Sequence, residues 1–330
     1  MFKRYALLVG LILLSITSQA APVVLDAVVA DVNNEVITLN QLNEQVVLAK
    51  QQMFVQHITP PKESILQKQV LDMMVSQTLQ LQIAKRARLS VTPEQVDEAI
   101  AQMAKMQNIS SDQLLQAVQK EGIALVDFRK QLANQIIIGQ LQRGMISPQV
   151  TVSPAEIEAA VRSVKKQSSG MQYHLEDILI PLSSAPTPDE IKAATARAND
   201  LITQLKAGTD FKTLAASVSK GQEALQGGDL GWQSLTGLPA TFSNAIQNLQ
   251  VGGVSQSVRA ADGIHILSLL GVRSGSADNL SAEQSRQQIA DMLFKRKFEE
   301  RLSIWLKQAH DAAYIKVFLK EDKQNSNLSN

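Results

Sequence analysis

No cysteine occurs in the 330 residues. Disulfides, thiolate metal sites and lipid attached through a cysteine are thereby excluded, and stability must come from packing alone. Aromatic residues make up only 4% while apolar residues reach 45%, so the core is sizeable and mainly aliphatic. Charge of one sign is lacking too, with a formal balance of +1 at pH 7. A nucleic-acid binder carries a basic field, and this balance argues against one. No nucleotide-binding motif is visible, which leaves no cofactor to expect. Nor is there an apolar run of the about 20 residues that a membrane-crossing helix needs. The run from Tyr5 to Ile16 is too short.

That short run has another reading. Lys3 and Arg4 precede it, and Ser18-Gln19-Ala20 follow it. A basic start, an apolar middle and small residues at the −3 and −1 positions describe a secretory leader over residues 1–20, cleaved after Ala20. Losing Lys3 and Arg4 changes the formal charge to −1. The remaining length suits about two domains, working outside the cytoplasm without stable membrane insertion.

Val28 to Val32 and Glu35 to Thr38 read as two short strands around Asn33-Asn34. Asparagine tolerates the positive φ that such a turn demands. Helical signals follow. Thr92-Pro93-Glu94-Gln95, Ser110-Ser111-Asp112-Gln113 and Ser153-Pro154-Ala155-Glu156 each supply a capping hydroxyl and a Glu or Gln three residues later. Leu66, Val70, Val75 and Leu79 recur at helical spacing, as do Phe128, Leu132, Ile136 and Leu141. A mainly helical unit over 21–168 is expected.

The pattern changes after Ser168-Ser169-Gly170. Tyr173 to Leu182 alternates like a strand, Thr187-Pro188-Asp189-Glu190 caps a helix that should stop at Gly208, and Asp210 starts a shorter one. A helix around Phe242 to Leu249 and strands at Val254–Val258 and Ile264–Leu270 complete an α+β unit over 171–274. Beyond it, Ser281 caps a helix whose buried stripe is predicted as Phe294, Phe298, Leu302 and Trp305. A short strand over Ala313 to Leu319 then needs a partner, because a lone strand leaves backbone groups unpaired. The N-terminal hairpin is the candidate, which would tie 275–320 back to the helical unit. The polar tail, 321–330, is expected to be disordered.

Between these elements lies Gln226-Gly227-Gly228-Asp229-Leu230-Gly231-Trp232. Phosphate-cradling loops run straight into a helix and usually carry a lysine. Neither condition holds here, and Gly237 and Pro239 delay the next helix. A tight turn leading into an edge strand fits these glycines better.

A strand ending in "ILI", then "TDFKTLA", "GGDLGW", a helix with Pro239 and Phe242, and "DGIHILSLL" together resemble the parvulin family of prolyl isomerases. The resemblance spans 171–274 and implies a four-stranded antiparallel sheet with helices. "VVADVNNEVIT", the multi-helix region, "LEDILIPL" and a final helix ending in "AYIKV" extend the likeness to SurA-type periplasmic chaperones. It implies an α+β protein: a mainly helical chaperone core closed by both terminal segments, with the parvulin-like unit inserted. Members often carry two such units, and one is visible here. Its implied partners are unfolded outer-membrane protein precursors and extended peptides, held in the periplasm without ATP. Dimerisation also stays open.

Rotating an X–Pro bond needs neither nucleophile nor metal, because its barrier of about 18–20 kcal/mol comes from amide resonance. A dry apolar pocket that grips the twisted bond lowers it. Carried over position by position, the resemblance puts the late histidine of the cleft at His265 and the apolar pair at Leu238 and Phe242. The family's strand histidine is Asp177 here, its Cys or Asp is Ser219, and Ala216 stands where another histidine belongs. Asp262 takes a position that often holds Ser or Phe. His174, an odd three residues from Asp177, should face the other side of the strand. The polar part of the cleft is thus largely rewritten, and a chaperone with a degenerate isomerase unit is the first expectation. An active isomerase acting through His265 and a peptide-binding or dimerisation module are the alternatives.

Overall fold

The computed structural model describes residues 26–166, 171–274 and 282–319. The leader over 1–20, the tail from Glu321 and the capping Ser281 lie outside them.

Strands β1 (Val28–Val32) and β2 (Glu35–Thr38) pair antiparallel. Their turn holds Asn33 and Asn34 at φ 50° and 70°, the left-handed region that asparagine enters most readily among residues with a Cβ. Strand β7 (Ile315–Val317) lies along the other side of β1, with Val32 opposite Ile315. Asn33 N–H donates to the Tyr314 carbonyl, and Tyr314 N–H donates to the Asn33 side chain, both at 2.9 Å. The two ends of the chain therefore share one sheet, β2-β1-β7. Val29, Val32 and Ile37 bury one side of it against α1 (Leu39–Val55) and α2 (Glu63–Arg86), whose inward residues include Leu42, Met53, Leu66, Val70 and Val75.

Capping boxes at Thr92 and Ser110 start α3 (Pro93–Met106) and α4 (Ser111–Lys120). They gather with α5 (Leu125–Ile146) around a second small core of Val96, Ile100, Leu114 and Leu132. Next, α6 (Pro154–Lys166) receives the long C-terminal α10 (Ala282–Asp311) through Ala160, Ile289 and Leu293. Here the predicted stripe is corrected. Leu302 is buried, but Phe294 is 38% exposed. Packing on α6 selects Leu293, and one residue turns an α-helix by about 100°, which carries Phe294 outward.

The α+β unit is a four-stranded antiparallel sheet, β4-β3-β6-β5. Its strands are β3 (Met171–Pro181), β4 (Asp229–Ser234), β5 (Val258–Arg259) and β6 (Gly263–Ser274). Helices α7 (Pro188–Lys206) and α8 (Phe211–Val218) cover one face, over Ile178, Ile180 and Ile266. Helix α9 (Ala240–Ile246), shorter than predicted, covers the other, over Leu175, Leu267 and Leu269. The strand expected at Val254–Val258 is reduced to a single bridge at Val254 and the two residues of β5. The cause is Ser255, whose hydroxyl accepts from Leu267 N–H at 2.9 Å in place of a backbone carbonyl. The glycine stretch enters β4, which is an edge strand as expected.

This unit is docked, not loose. Ala216 of α8 is fully buried within the core formed by α1 and α2. Gln69 of α2 donates to the Ser219 carbonyl at 3.2 Å, and Lys220 pairs with Asp72.

Candidate functional site

Strands β3 and β6 run side by side with Asp177 opposite Leu267 and Leu179 opposite His265. Asp177 and His265 are therefore diagonal neighbours on one face, close enough for long side chains to meet. The imidazole Nδ1 lies 3.0 and 2.9 Å from the two Asp177 oxygens, and Nε2 lies 3.1 Å from Asp262 Oδ1. Asp262 sits in the turn before β6 and accepts a further hydrogen bond of 2.7 Å from Ser303 on α10. The Phe242 ring tilts against the imidazole, with 4.8 Å between centroids. Leu238 joins the same apolar cluster, and Leu238, Phe242 and His265 are all buried.

The glycine stretch helps to set this arrangement. Asp177 N–H donates to the Gly228 carbonyl at 2.8 Å. Gly228 has φ +79°, and a Cβ there would lie 2.3 Å from the Asp177 carbonyl oxygen. Only glycine permits both the conformation and that approach.

Burial by itself pushes the His265 imidazole down, but Asp177 and Asp262 outweigh it and lift the group to about 10. Burial pushes Asp262 up, and the charged imidazole with Ser303 reverses this, holding it at about 2. At neutral pH the His265 imidazole is charged and lies between Asp177 and Asp262. Both of its N–H groups are committed, one to each acid. No nucleophile, free proton donor or open base remains on this histidine. Among the described residues, no group of His, Asp and Glu could hold a metal ion.

Ser219 is not part of that constellation. Its hydroxyl accepts from Leu179 N–H at 3.1 Å and from Gly221 N–H at 3.2 Å, and the residue is 1% exposed. It satisfies backbone donors where α8 ends. The structure thus brings Asp177, Leu238, Phe242, Asp262 and His265 together and assigns Ser219 to a turn.

His174 takes the opposite face. Its Nε2 lies 2.8 Å from Asp229, and its ring stands 5.1 Å from Trp232, over which the Arg273 guanidinium sits at 4.2 Å. The irregularities of register fall in the neighbours, where Leu270 of β6 and Leu230 of β4 are the extra residues. Strand β3 keeps its alternation, so no bulge turns His174 toward Asp177. Beside His174 on that face, burial raises Glu176 to about 7, opposed by Lys212 and a hydrogen bond from Ser268.

Sequence reasoning missed the part played by α10. Ser303 lies 41 residues beyond Asp262, and Arg296 donates to the Leu238 carbonyl at 3.2 Å. Both are ordinary polar positions on an amphipathic helix, and no local pattern marks them.

Residues 25–142 match a family profile described as the SurA N-terminal domain, and residues 177–271 match the PPIC-type PPIASE domain. A protein named Chaperone SurA from Legionella pneumophila (strain Paris) is 34% identical over 82% of this chain and 63% of its own. Another of that name, from Nitrosococcus oceani, is 33% identical over 86% of this chain and 68% of its own. A third, from Saccharophagus degradans, is 32% identical over 90% of this chain and 70% of its own. The chain spans just under two thirds of the Legionella relative's length.

Proposed function

Because this chain belongs to the SurA chaperone family and carries a PPIC-type domain, we propose that it holds unfolded polypeptides, outer-membrane protein precursors among them, in the periplasm. The leader read over residues 1–20 supports export, and no helix among the described residues is long and apolar enough to cross a membrane. The domains would be a helical chaperone core built from 21–168 and 275–320 and an isomerase-type unit over 171–274.

One observation carries the holding function. A hollow of about 340 Å³ lies between α2 and α10, lined by Leu79, Ile83, Arg86, Trp305, Ala309 and Ala313. Its walls, apolar at Leu79, Ile83 and Trp305 and polar at Asn33, Arg86 and Gln308, come from segments far apart in sequence, closed together by the β1–β7 pairing. On α1, toward the other end of α2, Phe54 and Val55 are 81% and 75% exposed. A hollow of mixed lining and separate exposed apolar groups suit extended chains of many sequences. Such binding keeps an unfolded client below its aggregation threshold by mass action and needs no ATP.

The isomerase-type unit is read as degenerate. A prolyl carbonyl entering the cleft would find both imidazole donors engaged, and Ser219 spends its hydroxyl on the backbone. The active-isomerase alternative keeps one specific support, the apolar pair Leu238 and Phe242 beside His265.

Light scattering of a diluted, unfolded outer-membrane protein tests the holding function. Ile83→Ala combined with Trp305→Ala should lose most of the suppression of aggregation, with folding verified by circular dichroism. Asp177→Asn, which alters the isomerase-type site at a residue bonded to His265 rather than to α10, should keep it. Equal suppression by the double variant and the parent would refute the α2–α10 hollow as the client site.

A further inference from the structure

We infer that the prolyl cleft of residues 171–274 is an interaction surface for this chain's own C-terminal helix, so that α10 and a prolyl peptide compete for it. The inference rests on the reading of this unit as an isomerase-type fold and concerns access to its cleft, not its chemistry.

Four contacts place α10 along the rim. Met292 Sδ lies 3.1 Å from the Ser234 hydroxyl, and Arg296 donates to the Leu238 carbonyl at 3.2 Å. Ser303 donates to Asp262 at 2.7 Å, and Asp311 accepts from Ser184 at 3.2 Å. From 292 to 303 the helix rises about 16 Å at 1.5 Å per residue, the length of several extended residues. Beside these contacts, Leu238, Phe242 and His265 are 5%, 7% and 5% exposed. A pocket that grips a proline ring must present those side chains to an incoming chain.

The far side of α10 is held independently. Lys297 pairs with Glu156 at 2.6 Å and donates to the Thr151 carbonyl at 2.7 Å, while Arg286 pairs with Glu158 at 2.8 Å. The helix is thus clamped between α6 and the cleft. On the cleft side, the contacts from Met292, Arg296 and Ser303 are polar ones at the rim. Desolvation there is partial, so each contributes modestly. A surface of this kind can separate without unfolding either partner.

Ser303 is the residue that joins the two. Placing a carboxylate there sets it against Asp262, and like charges at contact repel. The experiment uses the full chain and follows backbone amide shifts by NMR while titrating a proline-containing tetrapeptide anilide, with an alanine-for-proline peptide as comparison. Ser303→Glu should bind the proline peptide about tenfold more tightly than the parent, equivalent to about 1.4 kcal/mol. Arg296→Ala combined with Met292→Ala, which removes rim contacts without new charge, should move affinity in the same direction, and serves if Ser303→Glu fails to fold. Equal affinity in the parent and both folded variants would overturn the covering by α10. Absence of prolyl-specific binding in every variant, with the released helix seen in the spectra, would overturn the proposal together with the isomerase-type reading beneath it.

Discussion

The four-stranded sheet carries a histidine–aspartate pair on each face, and the two are built differently. On the α9 face His265 is 5% exposed and meets two carboxylates. On the other face the His174 side chain is 26% exposed and meets only Asp229, with Trp232 beside it. Both pairs close at similar distances, 2.9 and 2.8 Å. Distance therefore does not distinguish them. Burial and the number of acids do: a charge taken out of water must be matched by partners, whereas a half-buried pair that water still reaches gains less.

The largest expected difference follows from that contrast. His265→Ala strands two facing carboxylates in a buried place and should cost about 3 kcal/mol of stability, as removal of one partner from a buried pair does. His174→Ala, which removes one half-buried pair and the Trp232 contact, should cost less, about 1 kcal/mol. Denaturant unfolding of both variants measures this, and equal losses would erase the distinction between the faces.

A smaller, pH-dependent effect sharpens it. His265 is raised from 6.5 to about 10. Its contribution is complete below pH 6.5 and is lost as pH rises through 10. Glu176, on the His174 face, is raised from 4.5 to about 7, so its contribution is complete below pH 4.5 and fades as pH rises through 7. Asp262, lowered to about 2, contributes above its ordinary 3.8 and loses this only as pH falls through 2. Thermal midpoints should therefore decline from pH 5 to 10 in two stages. Glu176→Gln should raise the midpoint at pH 8 and flatten the earlier stage, leaving the later one to His265. A Gln variant that keeps the full decline would assign the earlier stage elsewhere.

Much of the architecture was legible locally. Asn33-Asn34, the hydroxyls of Thr92, Ser110 and Thr187, and the alternation around Tyr173 act within a few residues, and the structure shows them where expected. The pairing of β7 with β1 was legible too, because a lone strand needs a neighbour. The failures are tertiary. Val254–Val258 has strand composition, yet Ser255 spends its hydroxyl on Leu267 N–H and breaks the ladder. Phe294 has the right spacing for a core stripe, but α6 selects Leu293. At the site, motif position put Asp177, Asp262 and His265 in one cleft, while nothing in the sequence announced that Asp262 would bind Ser303 or that Ser219 would turn to Leu179 and Gly221.

Under the proposed function, the isomerase-type cleft keeps its apolar pair while its polar groups bind one another, and the helical unit holds clients. NMR exchange spectroscopy on a prolyl peptide, with no coupling protease, addresses it most directly. The parent chain at micromolar concentration should leave the cis–trans interconversion at its uncatalysed rate. Acceleration that disappears in Phe242→Ala would mean the cleft is catalytic as it stands, and would contradict the account.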